Sequence, residues 1–155
     1  MTNGTGGGNG TDVFQIANDS TLTGLDIIGG NDGVFGDSVT SFMLRDLNIS
    51  GATQYGVFLD GTNSGDIRNV VSNFNGLQGF IVNSFTDGTI SGNTASGNVF
   101  GGFFVETFPG GNSAVFSNNS SRNNTLQGYA KVSGTPFDGI MTNMGSGNGG
   151  GNDNF

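Results

Sequence analysis

The residues that could do chemistry in this sequence are carboxylates and a few basic side chains. The chain has twelve Asp and Glu residues against four Lys and Arg, a net charge of −8, and neither histidine nor cysteine. The absence of histidine excludes Ser-His-Asp and Cys-His catalysis and most zinc sites. The absence of cysteine excludes disulfides and thiol chemistry. So few basic residues argue against a nucleic-acid partner, and no apolar run is long enough to predict a membrane-spanning helix.

Four oxygen-bearing residues recur at intervals of 23 and form the first candidate site: Asp37, Asp60, Asn83 and Glu106. If a fold stacks them in one column, they could hold calcium or another polar ligand, because calcium prefers oxygen ligands. Lys131 would follow them and could pair with Glu106. The alternative is a solvated acidic strip. A carboxylate pair here could also serve a glycosidase, but it would lack the apolar burial that raises the pKa of an acid.

Two arginines, Arg45 and Arg68, share the same interval and form the second candidate site. Stacked guanidinium groups could bind the carboxylate of an anionic sugar in a bidentate manner. Asp46 and Asp66 stand nearby in the sequence, so ordinary surface ion pairs are the alternative and the preferred interpretation.

A third motif lies near the amino-terminal end. The stretch GGNGTDVF, residues 7–14, resembles the calcium-binding nonapeptide GGxGxDxUx of RTX repeats, and GGNDGVFG from Gly29 echoes it in part. RTX sites need tandem copies about nine residues apart, whereas these two stand 22 apart. We therefore expect no cofactor and no metal, with calcium as the alternative.

These intervals reflect an internal repeat that runs through most of the chain. The tetrapeptides GVFG, GVFL, GFIV and GFFV begin at steps of 23, at Gly33, Gly56, Gly79 and Gly102. A second, largely apolar motif recurs in phase with them at steps of 22 to 25. Each unit contains short β-rich segments separated by Gly, Asn, Ser and Asp, and none shows a helical apolar period.

Units of this size cannot bury a hydrophobic face alone, so they must stack on one another. Strands that wind in one sense pair in parallel, and crossovers between parallel strands are right-handed. The sequence predicts an all-β fold: a right-handed, single-stranded parallel β-helix, a solenoid of about six coils with about 23 residues each. Its predicted extent is 12–145, between a Gly/Asn-rich amino-terminal segment, 1–11, and a Gly/Asn-rich tail, 146–155.

The stretch TISGNTASGNVFGGFFVE, residues 89–106, resembles the repeat of right-handed parallel β-helix proteins, the pectate-lyase-like superfamily. The resemblance covers roughly residues 12–145. It implies the fold and allows several functions, from polysaccharide lyase and hydrolase to phage tailspike and adhesin-like surface protein. Hydrolases of that group share clustered aspartates with a Gly-His-Gly motif that this chain lacks. Its lyases rely on an Arg or Lys base near a calcium site.

Stacking places equivalent residues of successive coils in columns, and alternate residues of a strand face opposite sides. The predicted inward column contains Val34, Val57, Phe80 and Phe103, followed by Gly128 after a 25-residue step. In a turn, aligned asparagines are expected to form a structural amide ladder in which each side chain bonds the next. Its predicted members are Asn93, Asn118 and Asn143.

The outward column of the same strand is unusual because it is apolar. It contains Phe35, Phe58, Ile81, Phe104 and Tyr129. Such a stripe is typical of an interaction face, so we expect the chain to be a homo-oligomer, a trimer or a dimer that buries it. The alternatives are cover by a loop or by the carboxy-terminal tail, and an open binding surface.

The most consistent function is a non-catalytic β-solenoid structural or interaction module. Its linker-like ends suggest a segment of a larger secreted or surface protein, extracellular although the chain carries no targeting signal. The alternatives are a polysaccharide lyase or hydrolase of the β-helix superfamily, and a carbohydrate-binding module.

Overall fold

The structure, a computed structural model, describes residues 11–107, 113–131 and 143–151. These residues contain sixteen β-strands and no helix. Their strands pair in parallel and wind into a solenoid of about five turns with about 23 residues per turn. The predicted fold class is therefore confirmed.

Three stacks of parallel strands form the walls of the solenoid. Stack 1 consists of β1 (Phe14–Gln15), β4 (Val34–Asp37), β7 (Val57–Asp60), β10 (Gln78–Ser91), β12 (Gly101–Thr107) and β15 (Tyr129–Lys131). Stack 2 consists of β2 (Thr21–Thr23), β5 (Phe42–Arg45), β8 (Asn63–Arg68), the second half of β10 and β13 (Ser113–Ser117). Stack 3 consists of β3 (Asp26–Ile28), β6 (Asn48–Ser50), β9 (Val71–Asn73), β11 (Thr94–Ser96), β14 (Ser120–Arg122) and β16 (Met144–Ser146).

The interior column of stack 1 follows the prediction as far as Phe103. Val34, Val57, Phe80 and Phe103 pair in register, and all four are buried. The rings of Phe80 and Phe103 stack with their centroids 4.6 Å apart. Each coil thus adds one apolar side chain to a continuous core.

The predicted interval of 25 residues between Phe103 and its partner in the next coil is one residue too short. Phe103 pairs with Tyr129 rather than with Gly128, and Val105 pairs with Lys131. Tyr129 is 2% exposed, and its ring stacks on Phe103 at 5.3 Å. Its hydroxyl lies 2.7 Å from the carbonyl oxygens of Asn119 and Met144. Tyr129 therefore belongs to the core, where burial raises the pKa of its phenol above the usual range.

The repeated glycines stand where the solenoid has no room for a side chain. A Cβ atom on Gly56 would clash with the Ser72 hydroxyl, and one on Gly102 would clash with the Ser121 hydroxyl. The Ser121 hydroxyl donates a 2.8 Å hydrogen bond to the carbonyl of Gly128, the next glycine in the column. The glycine that marks the repeat is thus a packing requirement.

The last coil extends beyond the predicted boundary at residue 145. Strand β16 reaches Ser146, and the Gly128 N–H donates to the carbonyl of Gly151. Residues 146–151 therefore form part of the solenoid and not a separate tail.

Candidate functional surfaces

An amide ladder runs through the turn before stack 3, but its middle member is not the predicted one. Asn93 Nδ2 donates to Asn119 Oδ1, and Asn119 Nδ2 donates to Asn143 Oδ1, both at 3.0 Å. Asn118 is exposed and takes a left-handed turn conformation with φ of 56°. The prediction of Asn118 as a ladder member is wrong because the step between these coils is one residue longer than assumed.

A second amide ladder, which the sequence analysis missed, runs through the turn after stack 3. It contains Asn75, Asn98, Asn124 and Asn148, whose side chains bond successively at 3.0, 3.0 and 2.9 Å. Asn75 and Asn98 are 23 residues apart, the interval of the repeat, and this spacing could have predicted the second ladder. Because both ladders also bind backbone carbonyls, they act as structural clamps between coils.

The acidic strip exists as a column on the outside of stack 1. Asp37 and Asp60 pair in register and are both exposed. Asn83 Nδ2 donates to Asp60 Oδ1 at 3.0 Å, and Asp37 accepts a hydrogen bond from the Ser38 hydroxyl. Because Lys131 is level with Val105, it does not stand opposite Glu106 as suggested. Within the described part of the chain, no three His, Cys, Asp or Glu residues are grouped closely enough to hold a metal ion.

The two arginines also share a column, and each pairs with a nearby aspartate. Arg45 Nε lies 3.0 Å from Asp46, and Arg68 Nη2 lies 3.3 Å from Asp66. Together with Asn69 and Ser91 the arginines line a shallow hollow of about 320 Å³. The structure thus has the surface ion pairs that the sequence analysis preferred as the interpretation of these arginines. Binding of an anionic sugar by Arg45 and Arg68 stays a prediction.

The apolar outward column, here called the outer ladder, consists of Phe35, Phe58, Ile81 and Phe104 in register. Tyr129 is not part of it, because Ala130 lies level with Phe104. Phe35 and Ile81 are only 7% and 8% exposed, although they lie outside the interior cluster. Phe35 packs edge-on against Phe58, and Tyr55 packs on the same ring. Much of the ladder is therefore covered within the chain.

The more exposed apolar surface lies at the corner between stack 3 and stack 1. Val99, Phe100 and Leu126 are 58%, 48% and 40% exposed, and we call these three residues the corner patch. The Leu126 N–H donates to the Phe100 carbonyl, so the two residues occupy adjacent coils. This surface was not predicted, because the turn segments of the repeat are rich in Gly, Asn, Ser and Asp and were expected to be polar connections.

A cleft of about 430 Å³ connects the corner patch to the outer ladder. Phe100 and Leu126 line one side, Phe104 lines another, and Gln78 and Gln127 contribute their amides. Gly101 also lines the cleft and has no side chain to fill it.

Comparison with known proteins agrees with this architecture. A family model described as the right-handed β-helix region matches residues 32–149, more than half of the chain. The chain belongs to the right-handed β-helix family. No curated protein and no solved structure gives a significant match.

This β-helix thus presents three surfaces with different chemistry. The acidic strip and the arginine hollow are polar and open to solvent, whereas the cleft beside the corner patch combines aromatic rings with amides. Among the described residues, no helix could cross a membrane. Among the described residues, the corner patch places three exposed apolar side chains beside a cleft that is partly lined by aromatic rings.

Proposed function

We propose that this β-helix is a non-catalytic interaction module that associates with a second copy of itself through the corner patch and the adjoining Phe104. The observation that carries the proposal is the exposure of Val99, Phe100 and Leu126 on neighbouring coils. Adjacent exposed apolar side chains are typical of interaction sites. The lining of the cleft contains no charged residue, and depletion of charge is characteristic of interface centres.

Self-association fits this surface because a symmetric contact removes the same apolar patch from water on every copy. A dimer or a trimer would do so. The proposal includes the wider setting expected from the sequence, a segment of a larger secreted or surface protein. In that setting the rigid solenoid would act as a spacer whose corner holds neighbouring copies together.

The test is the molar mass in solution of the parent chain and of the Phe100→Asp/Leu126→Asp variant, measured by light scattering. We expect the parent to have two or three times the 15.8 kDa mass of the chain. The variant should be monomeric, because two charges would be buried unpaired at the interface. An unchanged β-sheet circular dichroism spectrum would show that the variant still folds.

The matched control is Ile28→Asp, which also introduces a charge at an exposed apolar position. Ile28 is 75% exposed in β3 of the first coil, away from the corner patch. This control should remain oligomeric. A monomeric parent, or a double variant that associates as the parent does, would refute the proposal.

A second candidate function, carbohydrate binding, is favoured by the composition of the cleft. Gln78 and Gln127 could bind sugar hydroxyls while the rings of Phe100 and Phe104 contact the apolar face of the sugar. Affinity electrophoresis in pectin and alginate gels would test it. Retardation of the parent that is lost in Gln78→Ala/Gln127→Ala would support binding, and equal mobility with and without polysaccharide would contradict it.

The lyase or hydrolase alternative is tested with the same polysaccharides. A lyase would generate unsaturated uronides, whose absorbance grows with time, and a hydrolase would release reducing ends. The proposed module should produce neither, with or without added calcium.

A further inference from the structure

Two carboxylates are buried together at the amino-terminal end of the solenoid. Asp12 is 1% exposed and Asp32 is 2% exposed. Asp12 Oδ1 accepts a 3.2 Å hydrogen bond from the Asp32 N–H, and the Val13 N–H donates to the Asp32 carbonyl at 3.0 Å. The two residues therefore face each other across the first two coils, outside every surface described above.

The hydrogen bonds of this pair do not compensate two negative charges. Asp32 Oδ1 accepts the Tyr55 N–H at 3.0 Å, and Asn31 Nδ2 lies 3.5 Å from Asp32 Oδ2. Asp12 Oδ2 is buried without a hydrogen-bond partner among the described residues. An orphaned carboxylate oxygen inside a protein is costly unless a cation or a proton reaches it.

The surroundings of Asp12 and Asp32 also provide little positive charge. Burial, together with the charge of Asp12 and a side-chain hydrogen bond to it, raises the pKa of Asp32 to about 6. Arg45 and Arg68 are engaged with other aspartates on the outside of the solenoid. In the described part of the chain, neither Asp12 nor Asp32 forms an ion pair with a basic side chain.

We propose that Asp12 and Asp32 bind a divalent cation, calcium by its chemistry, with Asn31 as a further ligand. Asn31 is 8% exposed, and rotation of its amide would present the side-chain oxygen in place of the nitrogen at the Asp32 carboxylate. Carboxylate and amide oxygens in irregular geometry suit Ca²⁺ better than Mg²⁺, which demands near-ideal octahedral ligands. Water would complete the shell.

The proposed site differs from the tandem nonapeptide arrangement suggested by the sequence. Its two aspartates stand 20 residues apart and meet because successive coils stack. A cation here would tie the first described coil to the second, because Asp12 and Asp32 belong to successive coils. The expected effect of calcium is therefore an increase in thermal stability.

The first measurement is the melting temperature of the chelator-treated chain at pH 8, with and without millimolar CaCl₂. We expect calcium to raise Tm by about 5 °C or more in the parent. The shift should disappear in Asp12→Asn and persist in Asp37→Asn, which removes an exposed carboxylate from the acidic strip. An equal Tm with calcium and with chelator would overturn the proposal.

The second measurement locates the ion and does not depend on the folding of Asp12→Asn. The chain has two tyrosines and no tryptophan. Burial and, to a smaller extent, the nearby charge of Asp32 raise the pKa of the Tyr55 phenol. Tb³⁺ bound at the pair should therefore show tyrosine-sensitised luminescence that calcium displaces. Tyr55→Phe should abolish the emission and keep the calcium shift in Tm. Emission of parental strength in Tyr55→Phe would place the ion elsewhere and overturn the assignment.

Discussion

At the scale of single residues, the left-handed backbone conformation of several turn positions restricts which residue types this β-helix places there. One turn column contains Asp46, Asn69 and Asn118, with φ between 52° and 56°. Asn and Asp tolerate this conformation better than other non-glycine residues because their short polar side chains bond locally. The choice of residue type in the turns therefore follows from backbone geometry.

Phe74 departs furthest from this preference, because the other described residues at positive φ are Asp, Asn, Ser or Gly. Its φ is 54°, and its side chain is 71% exposed. Gly97, the equivalent residue of the next coil, has a φ of 64°, and a Cβ atom there would contact the Phe74 ring. A bulky side chain in the left-handed region is strained.

We predict that Phe74→Asn stabilises the chain by about 0.5 to 1 kcal/mol, because asparagine relieves the backbone strain. The midpoint of urea unfolding should rise. The matched control is Ile28→Asn, which removes another exposed apolar side chain, outside the corner patch and at a residue without positive φ. A midpoint that falls in Phe74→Asn, or rises equally in both variants, would contradict the strain argument.

Tyr129 shows where residue-level reasoning from the sequence reaches its limit. A polar aromatic residue beside Lys131 reads as outward, because a buried phenol needs a hydrogen-bond partner. The carbonyls of Asn119 and Met144 provide those partners, but they lie 10 and 15 residues away in the chain. Only the stacked coils bring them to the hydroxyl.

At the scale of elements, the regular 23-residue step made the strands predictable. The pairs Val34–Val57, Val57–Phe80 and Phe80–Phe103 follow it without deviation. Beyond Phe103 the step becomes 26, as the bonds from Asn93 to Asn119 and from Asn98 to Asn124 show. The doublet Asn118-Asn119 allowed both registers, so sequence alone did not choose between them.

This register gives a direct prediction at the two neighbouring asparagines. Asn119→Ala should destabilise the chain by about 3 kcal/mol, because it leaves the buried donors of Asn93 without their acceptor. Asn118→Gly should change the stability by less than about 1 kcal/mol, since glycine accepts the left-handed turn. Urea unfolding of the two variants measures both values. A larger loss in Asn118→Gly than in Asn119→Ala would favour the 25-residue register.

At the scale of the whole molecule, the sequence was informative about the fold and much less so about the surface. Stacked repeats specify which positions are buried inside, because each column must remain apolar or hydrogen-bonded. The outer ladder is partly shielded from solvent by contacts such as that of the Tyr55 ring with the Phe58 ring. The repeat pattern does not predict these contacts. The corner patch likewise arises from turns that differ between coils.

Association of this β-helix with its own copies at the corner patch is tested most directly by methyl NMR of the unmodified chain during dilution. We expect the methyl signals of Val99 and Leu126 to shift as the oligomer dissociates, because their surroundings change from protein to water. The methyl signals of Ile28, exposed on the first coil, should remain in place. Signals that do not move at any concentration, or a shift confined to Ile28, would contradict the account.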